Sequence, residues 1–236
     1  MRIAVMSDIH GYSLALSRVL DDIALRETDH LLVAGDLCEG GPDPAGVIAA
    51  LREADAECVY GNTDRDVIDG DGGASSAWTR AQIGDSGLEF LCSLPFSIRV
   101  PHPGNEQRRE ADLLVVHANP TDVDRHLSPN ASKREVGEIL GDEVARTVAF
   151  GHLHVAYTRV VDGVTLVDVS AVGNPRDQDL RPRYAIFEDA SDGWTVEMHY
   201  VDYPLEETRE QMERSGMPNW RKAFDRLVSA RYNRPI

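Results

Sequence analysis

Five short polar motifs stand where apolar runs of this chain end: Asp8-x-His10, Gly35-Asp36, Gly61-Asn62, His117 and Gly151-His152-x-His154. Their side chains are carboxylates, a carboxamide and imidazoles, the donors that divalent transition metals take. Singly, each has an ordinary structural explanation. An aspartate after a strand more often caps a turn or helix than binds an ion, and a lone histidine is more often a hydrogen-bonded core residue. Together, Asp8, His10, Asp36, Asn62, His117, His152 and His154 offer more donors than one ion needs. Two divalent metal ions are therefore expected, and Mn, Fe, Ni, Zn and Co are all compatible with the donor set. In an extended segment residues i and i+2 share a face, so Asp8 with His10, and His152 with His154, are expected to converge. The glycines before Asp36, Asn62 and His152 permit the sharp backbone path this requires. Imidazole binds a cation only when neutral, so metal affinity is expected to weaken below about pH 6.

Positioning these groups requires strands that end together. Ile3–Met6, Leu31–Ala34 and Cys58–Tyr60 read as short strands, separated by helical stretches. The first helix carries Leu16, Val19, Leu20 and Ile23 at helical spacing. The second is marked by Asp43 as cap and Pro44 at the first position, with Val47, Ile48 and Leu51 facing inward. Such alternation implies a mainly parallel sheet with ligands bound at the strands' C-terminal ends. A Gly- and Asp-rich loop, Asp69 to Gly73, then leads into helical stretches around Trp78–Ile83 and Leu88–Leu94. Further on, strands are expected at Leu113–Val116, Thr147–Phe150, Tyr184–Phe187 and Trp194–Tyr200, with a hairpin over Val160–Val169 turning at Asp162-Gly163. From about Leu205 the chain reads as charged helix with a break at Gly216-Met217-Pro218. No repeat, low-complexity tract or linker stands out, so residues 1–236 read as one domain.

Composition narrows the function classes. A formal charge of −16 argues against a nucleic-acid backbone or an anionic membrane as partner, since both need a basic face. Only Lys133 and Lys222 are lysines. No apolar stretch approaches the roughly 18 residues of a membrane span, and the N-terminus runs straight into a strand with no signal-peptide pattern. Cys38, Cys58 and Cys92 are widely spaced and odd in number, which suits reduced thiols in a cytoplasmic protein.

At the five motifs the sequence resembles the calcineurin-like metallophosphoesterase superfamily, and most closely its compact bacterial and archaeal phosphodiesterase branch, over about residues 1 to 200. The resemblance implies a four-layer α/β/β/α sandwich of two mixed β-sheets flanked by helices. It implies one metal held by Asp8, His10, Asp36 and His154, and a second by Asp36, Asn62, His117 and His152, with Asp36 as the bridge. Catalysis would rest on Asp36, Asn62, Asp64 and His117. Ser170 to Asp177 is similar to a stretch common in the branch, residues 74–94 to its helical insertion beside the active site, and residues 205–236 form a C-terminal helical segment.

One position departs from the pattern. Many members carry a histidine after the Gly-Asn pair, where it protonates the leaving group and is held by the following aspartate. Here Thr63 takes its place and Asp64 remains. The expected reaction is attack by a bridging hydroxide, held between metals about 3.5–4 Å apart, on a small phosphodiester or nucleotide-type substrate. The alternatives are a dinucleoside polyphosphate hydrolase, a phosphomonoesterase or protein phosphatase, and a catalytically weak metal-binding scaffold. Arg65 and Arg176 are candidate phosphate contacts through their guanidinium forks, against a competing reading as surface ion pairs. Cys38 reads as a packing thiol and Trp78 as a helix anchor or pocket wall. His30, His102, His126 and His199 read as structural or solvated, with His126 the strongest exception because it follows His117 in the same loop.

Overall fold

The computed structural model describes residues 1–104, 107–191 and 193–231. Its first sheet is built from β1 (Arg2–Met6), β2 (His30–Val33), β3 (Glu57–Cys58), β9 (Arg183–Ala190) and β10 (Gly193–Tyr200), in the order β10-β9-β1-β2-β3. β1, β2 and β3 run parallel, while β9 and β10 are an antiparallel pair laid against β1. The second sheet holds β4 (Ser97–Val100), β5 (Leu113–Val116), β6 (Thr147–Phe150), β7 (Tyr157–Val161) and β8 (Val164–Asp168), in the order β4-β5-β6-β8-β7. Its central strands β5, β6 and β8 are parallel and both edge strands antiparallel. Both sheets are mixed, as the resemblance implies.

Strand alternation assigns the layers. Ile3 and Val5 of β1 point toward the second sheet and pack with Leu113, Val115, Ala149 and Val167. Ala4 and Met6, one residue out of phase, face the opposite side and pack with helices. Those include α1 (Ser13–Ala24), α2 (Pro44–Glu53), α4 (Gly73–Ser93), α6 (Leu205–Ser215) and α7 (Trp220–Ser229). On the outer face of the second sheet, α5 (Lys133–Leu140) covers Leu114, Val116, Val148 and Phe150 with Val136, Ile139 and Leu140. The result is helix, sheet, sheet, helix.

Local signals account for most element ends. Asp43 caps α2 by accepting from the Gly46 amide at 2.9 Å, and Val47, Ile48 and Leu51 are buried as their spacing predicts. Residues 73–93 are two helices meeting at Gly84, whose φ of 61° and ψ of −170° break the hydrogen-bond ladder. Gly216, at φ 75°, ends α6 in the left-handed conformation. Three elements do not follow from the pattern reading. α3 (Asn62–Asp69) has only Val67 and Ile68 as apolar residues, too few for a periodic stripe. β4 is an edge strand. α5 does carry a readable start: Ser132 and Glu135 cap one another, with the Glu135 carboxylate accepting from the Ser132 amide at 2.7 Å. Residues 232–236 of the expected C-terminal helix lie outside the described residues. Among the described residues no helix is long and apolar enough to cross a membrane.

Candidate metal centre

The motif residues lie just past the C-terminal ends of five strands: Asp8 and His10 after β1, Asp36 after β2, Asn62 after β3, His117 after β5, His152 and His154 after β6. The loops after β1 and β2 are zipped by backbone hydrogen bonds from Asp8 to Gly35 (3.0 Å), His10 to Asp36 (2.9 Å) and Gly11 to Leu37 (2.9 Å). Extended geometry does not bring the side chains together. Asp8, His10, Asp36, His152 and His154 all have positive φ, between 52° and 72°. Asp and His tolerate that region better than most residues, and each left-handed residue turns its side chain inward. The sequence expectation of i, i+2 alternation is corrected here: convergence comes from successive left-handed turns.

The glycines serve a different purpose from turning, except at Gly35 (φ 83°). A Cβ on Gly61 would overlap the Asp36 carboxylate, and one on Gly151 would overlap the Asp8 carboxylate and the Ser7 hydroxyl. Both are positions where backbone and carboxylate approach more closely than any side chain allows.

All seven donors meet, in two overlapping groups. Around Asp8, the His154 Nε2 lies 3.0 Å and the His10 Nε2 3.6 Å from Oδ1, the two Nε2 atoms are 3.1 Å apart, and His10 Nε2 is 3.6 Å from Asp36 Oδ2. On the other side, His117 Nε2 lies 3.4 Å from Asp36 Oδ1, 3.0 Å from Asn62 Oδ1 and 3.2 Å from His152 Nδ1, which is itself 3.0 Å from Asn62 Oδ1. Asp36 therefore stands between the groups with one oxygen toward each.

Backbone carbonyls orient the rings. His10 Nδ1 donates to Glu39 O (2.7 Å), His117 Nδ1 to Ala34 O (2.8 Å) and His154 Nδ1 to Asn174 O (2.5 Å), so each neutral ring presents an Nε2 lone pair to the cluster. Asp8 Oδ2 accepts from the His152 amide at 2.8 Å, while its buried Oδ1 has no hydrogen-bond partner. A buried carboxylate oxygen without a hydrogen-bond partner, faced by imidazole nitrogens at 3.0 to 3.6 Å, is an arrangement that a cation would satisfy. The residues present fit a two-cation centre. Two carboxylates cannot neutralise two divalent ions, so a loaded centre would stay positive toward an anionic substrate.

The protonation pattern agrees. Burial works against the His10 cation, but the Asp8 and Asp36 carboxylates facing its ring outweigh it and raise its pKa to about 9. His117 is raised likewise, against burial, by Asp36 and Asp8. Burial and the neighbouring His117 push His152 down to about 4, and burial lowers His154 despite Asp8. Burial alone would raise the Asp8 carboxyl; His154, His10 and His117 around it hold it well below the usual range. A proton on His10 thus takes the positive role that a cation would take there.

The remaining predicted residues divide. Asp64, fully buried, accepts from the backbone amides of Leu37 and Gly61, both at 2.9 Å, and so ties the Asp36 loop to the start of α3. It faces the backbone rather than the cluster and is a positioning residue in this arrangement. Arg65 is turned outward, its fork occupied by Asp124 at 2.8 and 3.0 Å, which is the ion-pair alternative. Arg176 instead lines a cavity of about 300 Å³ beside the cluster, together with His10, Glu39, Thr63 and Asn174. The Thr63 amide donates to Asp36 Oδ1 at 2.9 Å, and its buried hydroxyl has no partner. The stretch Ser170–Asp177 threads back over the site, with Val172 and Gly173 bonded to Ser7 and Asp8 and Arg176 to His154, all at 2.9 Å. Cys38 is buried, as its packing reading predicts, and Trp78 packs partly buried on the helix-side core. His102 bonds backbone carbonyls, His199 stacks on Tyr184 and His30 pairs with Glu57, whereas the His126 ring stacks 6.4 Å from His152.

Two contributors escaped the sequence reading. Asp168, buried at the end of β8, accepts from the Ser170 amide at 2.8 Å and is raised well above the usual carboxylate range by burial, with Asp8 adding to it. Glu39 contributes its carbonyl to His10 and its side chain to the cavity wall. Asp168 follows an apolar run just as Asp8 and Asp36 do, a signal that was available; Glu39 had none.

Residues 1–192 match the model of the calcineurin-like phosphoesterase superfamily domain. A serine/threonine-protein phosphatase 1 of Salmonella typhimurium is 33% identical over 191 residues, covering 71% of this chain and 86% of that protein. An uncharacterized protein of Methanocaldococcus jannaschii is 26% identical, covering 92% of this chain and 94% of its own. Among solved structures, a metallophosphoesterase from Sphaerobacter thermophilus superposes with a TM-score of 0.78 at 26% identity, covering 98% of this chain and 99% of that one.

Proposed function

Because this chain belongs to the calcineurin-like phosphoesterase superfamily, we propose that it is a dinuclear-metal phosphoester hydrolase acting on a small phosphodiester or nucleotide-type substrate. The observation that carries the proposal is the Asp36 carboxylate, with one oxygen toward His10 and the other toward His117. That placement divides the donors into two sets sharing one bridge. When bound, divalent cations supply a water acidified toward neutrality and Lewis acidity at the phosphoryl oxygens. The chain's own contribution is orientation. Carbonyls of Glu39, Ala34 and Asn174 fix the ring tautomers, Asp64 fixes the spacing of two ligand loops, and Asn62 adds a ligand without adding negative charge.

The diester preference rests on Thr63. Its amide is engaged by Asp36, and an aliphatic hydroxyl is a poor proton donor to a departing alkoxide. Leaving groups that need little protonation should therefore turn over best. The test compares a nitrophenyl diester, an alkyl phosphate monoester and a phosphopeptide across Mn, Fe, Ni, Zn and Co. The aryl diester should be fastest, and faster alkyl monoester hydrolysis overturns the preference. The phosphopeptide arm addresses the protein phosphatase reading that the Salmonella relative's name raises. Asp36→Asn should lose metal and turnover together; metal binding with no turnover on any ester would instead favour a scaffold.

A further inference from the structure

The cavity beside the metal centre is not closed by the family domain alone. The superfamily match ends at residue 192, yet Ala223 and Arg226 of α7 line the same cavity as His10, Thr63, Asn174 and Arg176. α7 is seated firmly there: Leu227 is buried, and Ala223 and Phe224 pack against the helix-side core. Its end is joined to the Arg176 segment, with the Gln178 amide donating to Ala230 O at 2.7 Å and a β-bridge between Asp177 and Arg231. The two arginines are thus carried by backbone segments fixed to one another, and the charges of both reach Tyr12 in the cavity wall. Two buried polar atoms of that wall, Thr63 Oγ1 and Asn174 Oδ1, have no hydrogen-bond partner. Glu39 is an acid in the wall, set against the two arginines. In a chain of net charge −16, a wall with two arginines is a local inversion of charge.

We propose that the substrate is a small phosphoester whose non-reacting part bears a second phosphate-type anion, gripped by Arg176 and Arg226 while the ester group lies at the metal centre. This rests on the hydrolase reading above and deepens it. A guanidinium fork matches a phosphate with two parallel donors, and a cavity of about 300 Å³ suits a small ligand rather than a folded chain. α7 then acts as a specificity element appended to the common domain, and Arg226 as its contact residue.

The test uses the full chain loaded with the most active metal and reads binding by calorimetry, with propylene bisphosphonate as the two-anion probe and propylphosphonate as the one-anion probe. Arg226 is exposed, so Arg226→Ala is compatible with folding, and Lys222→Ala, exposed on the same helix, removes the same charge away from the cavity. Arg226→Ala should weaken the bisphosphonate about tenfold and the monophosphonate by less than about twofold, the scale of one charge-assisted phosphate contact. Lys222→Ala should change neither. Arg226→Lys should recover part of the loss. On esters, Arg226→Ala should raise KM for a doubly anionic substrate and leave kcat unchanged. Equal weakening of both phosphonates by Arg226→Ala, or no weakening, overturns the proposal while leaving the hydrolase reading intact. If neither phosphonate binds and no ester is turned over with any metal, the hydrolase reading itself falls.

Discussion

Replacing Gly61 with alanine isolates the physical reason the two ligand loops can touch. Gly61 has φ −105° and ψ −176°, an extended conformation alanine adopts freely, so no backbone strain enters. The whole cost is contact. The new Cβ would stand 2.5 Å from the Asp36 backbone nitrogen and overlap the Asp36 carboxylate. Relief requires shifting the Asp36 backbone together with its carboxylate, which breaks the 2.9 Å hydrogen bond from the Thr63 amide. Overpacking costs about 1–3 kcal/mol and the lost charge-assisted hydrogen bond about 1.5–3, so about 2.5–6 kcal/mol in all. That is a large part of the 5–15 kcal/mol typical of a domain. Urea unfolding of the metal-free variant measures the stability loss, and calorimetric titration with the active metal measures the second consequence. Because Asp36 faces both donor groups, both cations should weaken together. Gly70→Ala is the control: its φ of 81° penalises any side chain by about 1–2 kcal/mol, but nothing lies within 4 Å of its Cβ, so metal binding should not change. A Gly61→Ala protein within about 1 kcal/mol of the parent, with both cations at parental affinity, would refute the reasoning.

Three other outcomes are expected. His10 holds its proton up to about pH 9 in the metal-free chain. Metal uptake at neutral pH should therefore release protons, and affinity should climb by up to about tenfold per pH unit toward 9 rather than level off near 6. Calorimetry in buffers of different ionisation heat checks this, and uptake without proton release contradicts it. In the metal-free chain the same raised pKa stabilises the fold fully below the unfolded value of 6.5 and fades as pH rises through about 9. Among the thiols, burial pushes Cys38 and Cys58 well up while Cys92 is exposed; a disulfide reagent should modify one thiol quickly in the native chain and the other two only on unfolding. Arg65→Ala removes a largely exposed ion pair with Asp124, so urea unfolding should shift by less than about 1 kcal/mol and turnover should hold.

The β–α alternation was legible because β1, β2, β5 and β6 are short, mostly apolar and mostly buried runs and α2 announces its start with Asp43-Pro44. α3 was not, because its helical state follows from the Asp64 carboxylate bonding two backbone amides rather than from an apolar stripe. The identity of the seven donors could be read from residue types and order. How they converge could not: positive φ at Asp8, His10 and His152 is imposed by hydrogen bonds such as His10 to Asp36 and Asp8 to Gly35, which join segments far apart in sequence. Long-range placement also hid Arg226. Nothing in a charged C-terminal helix distinguishes the arginine that reaches the cavity from Arg221, which lies over the Trp220 ring.

Asp8, His10, Asp36 and Asn62 hang from the first sheet, His117, His152 and His154 from the second. Between the sheets themselves lies a layer of apolar contacts, which resists separation but offers little against sliding. Cations gripped from both sides would act as rivets at one end of that layer. Shearing the halves would then demand that every ligand bond break at once, so the loaded protein should come apart in one concerted step while the bare one loosens first at the rim where the rivets belong.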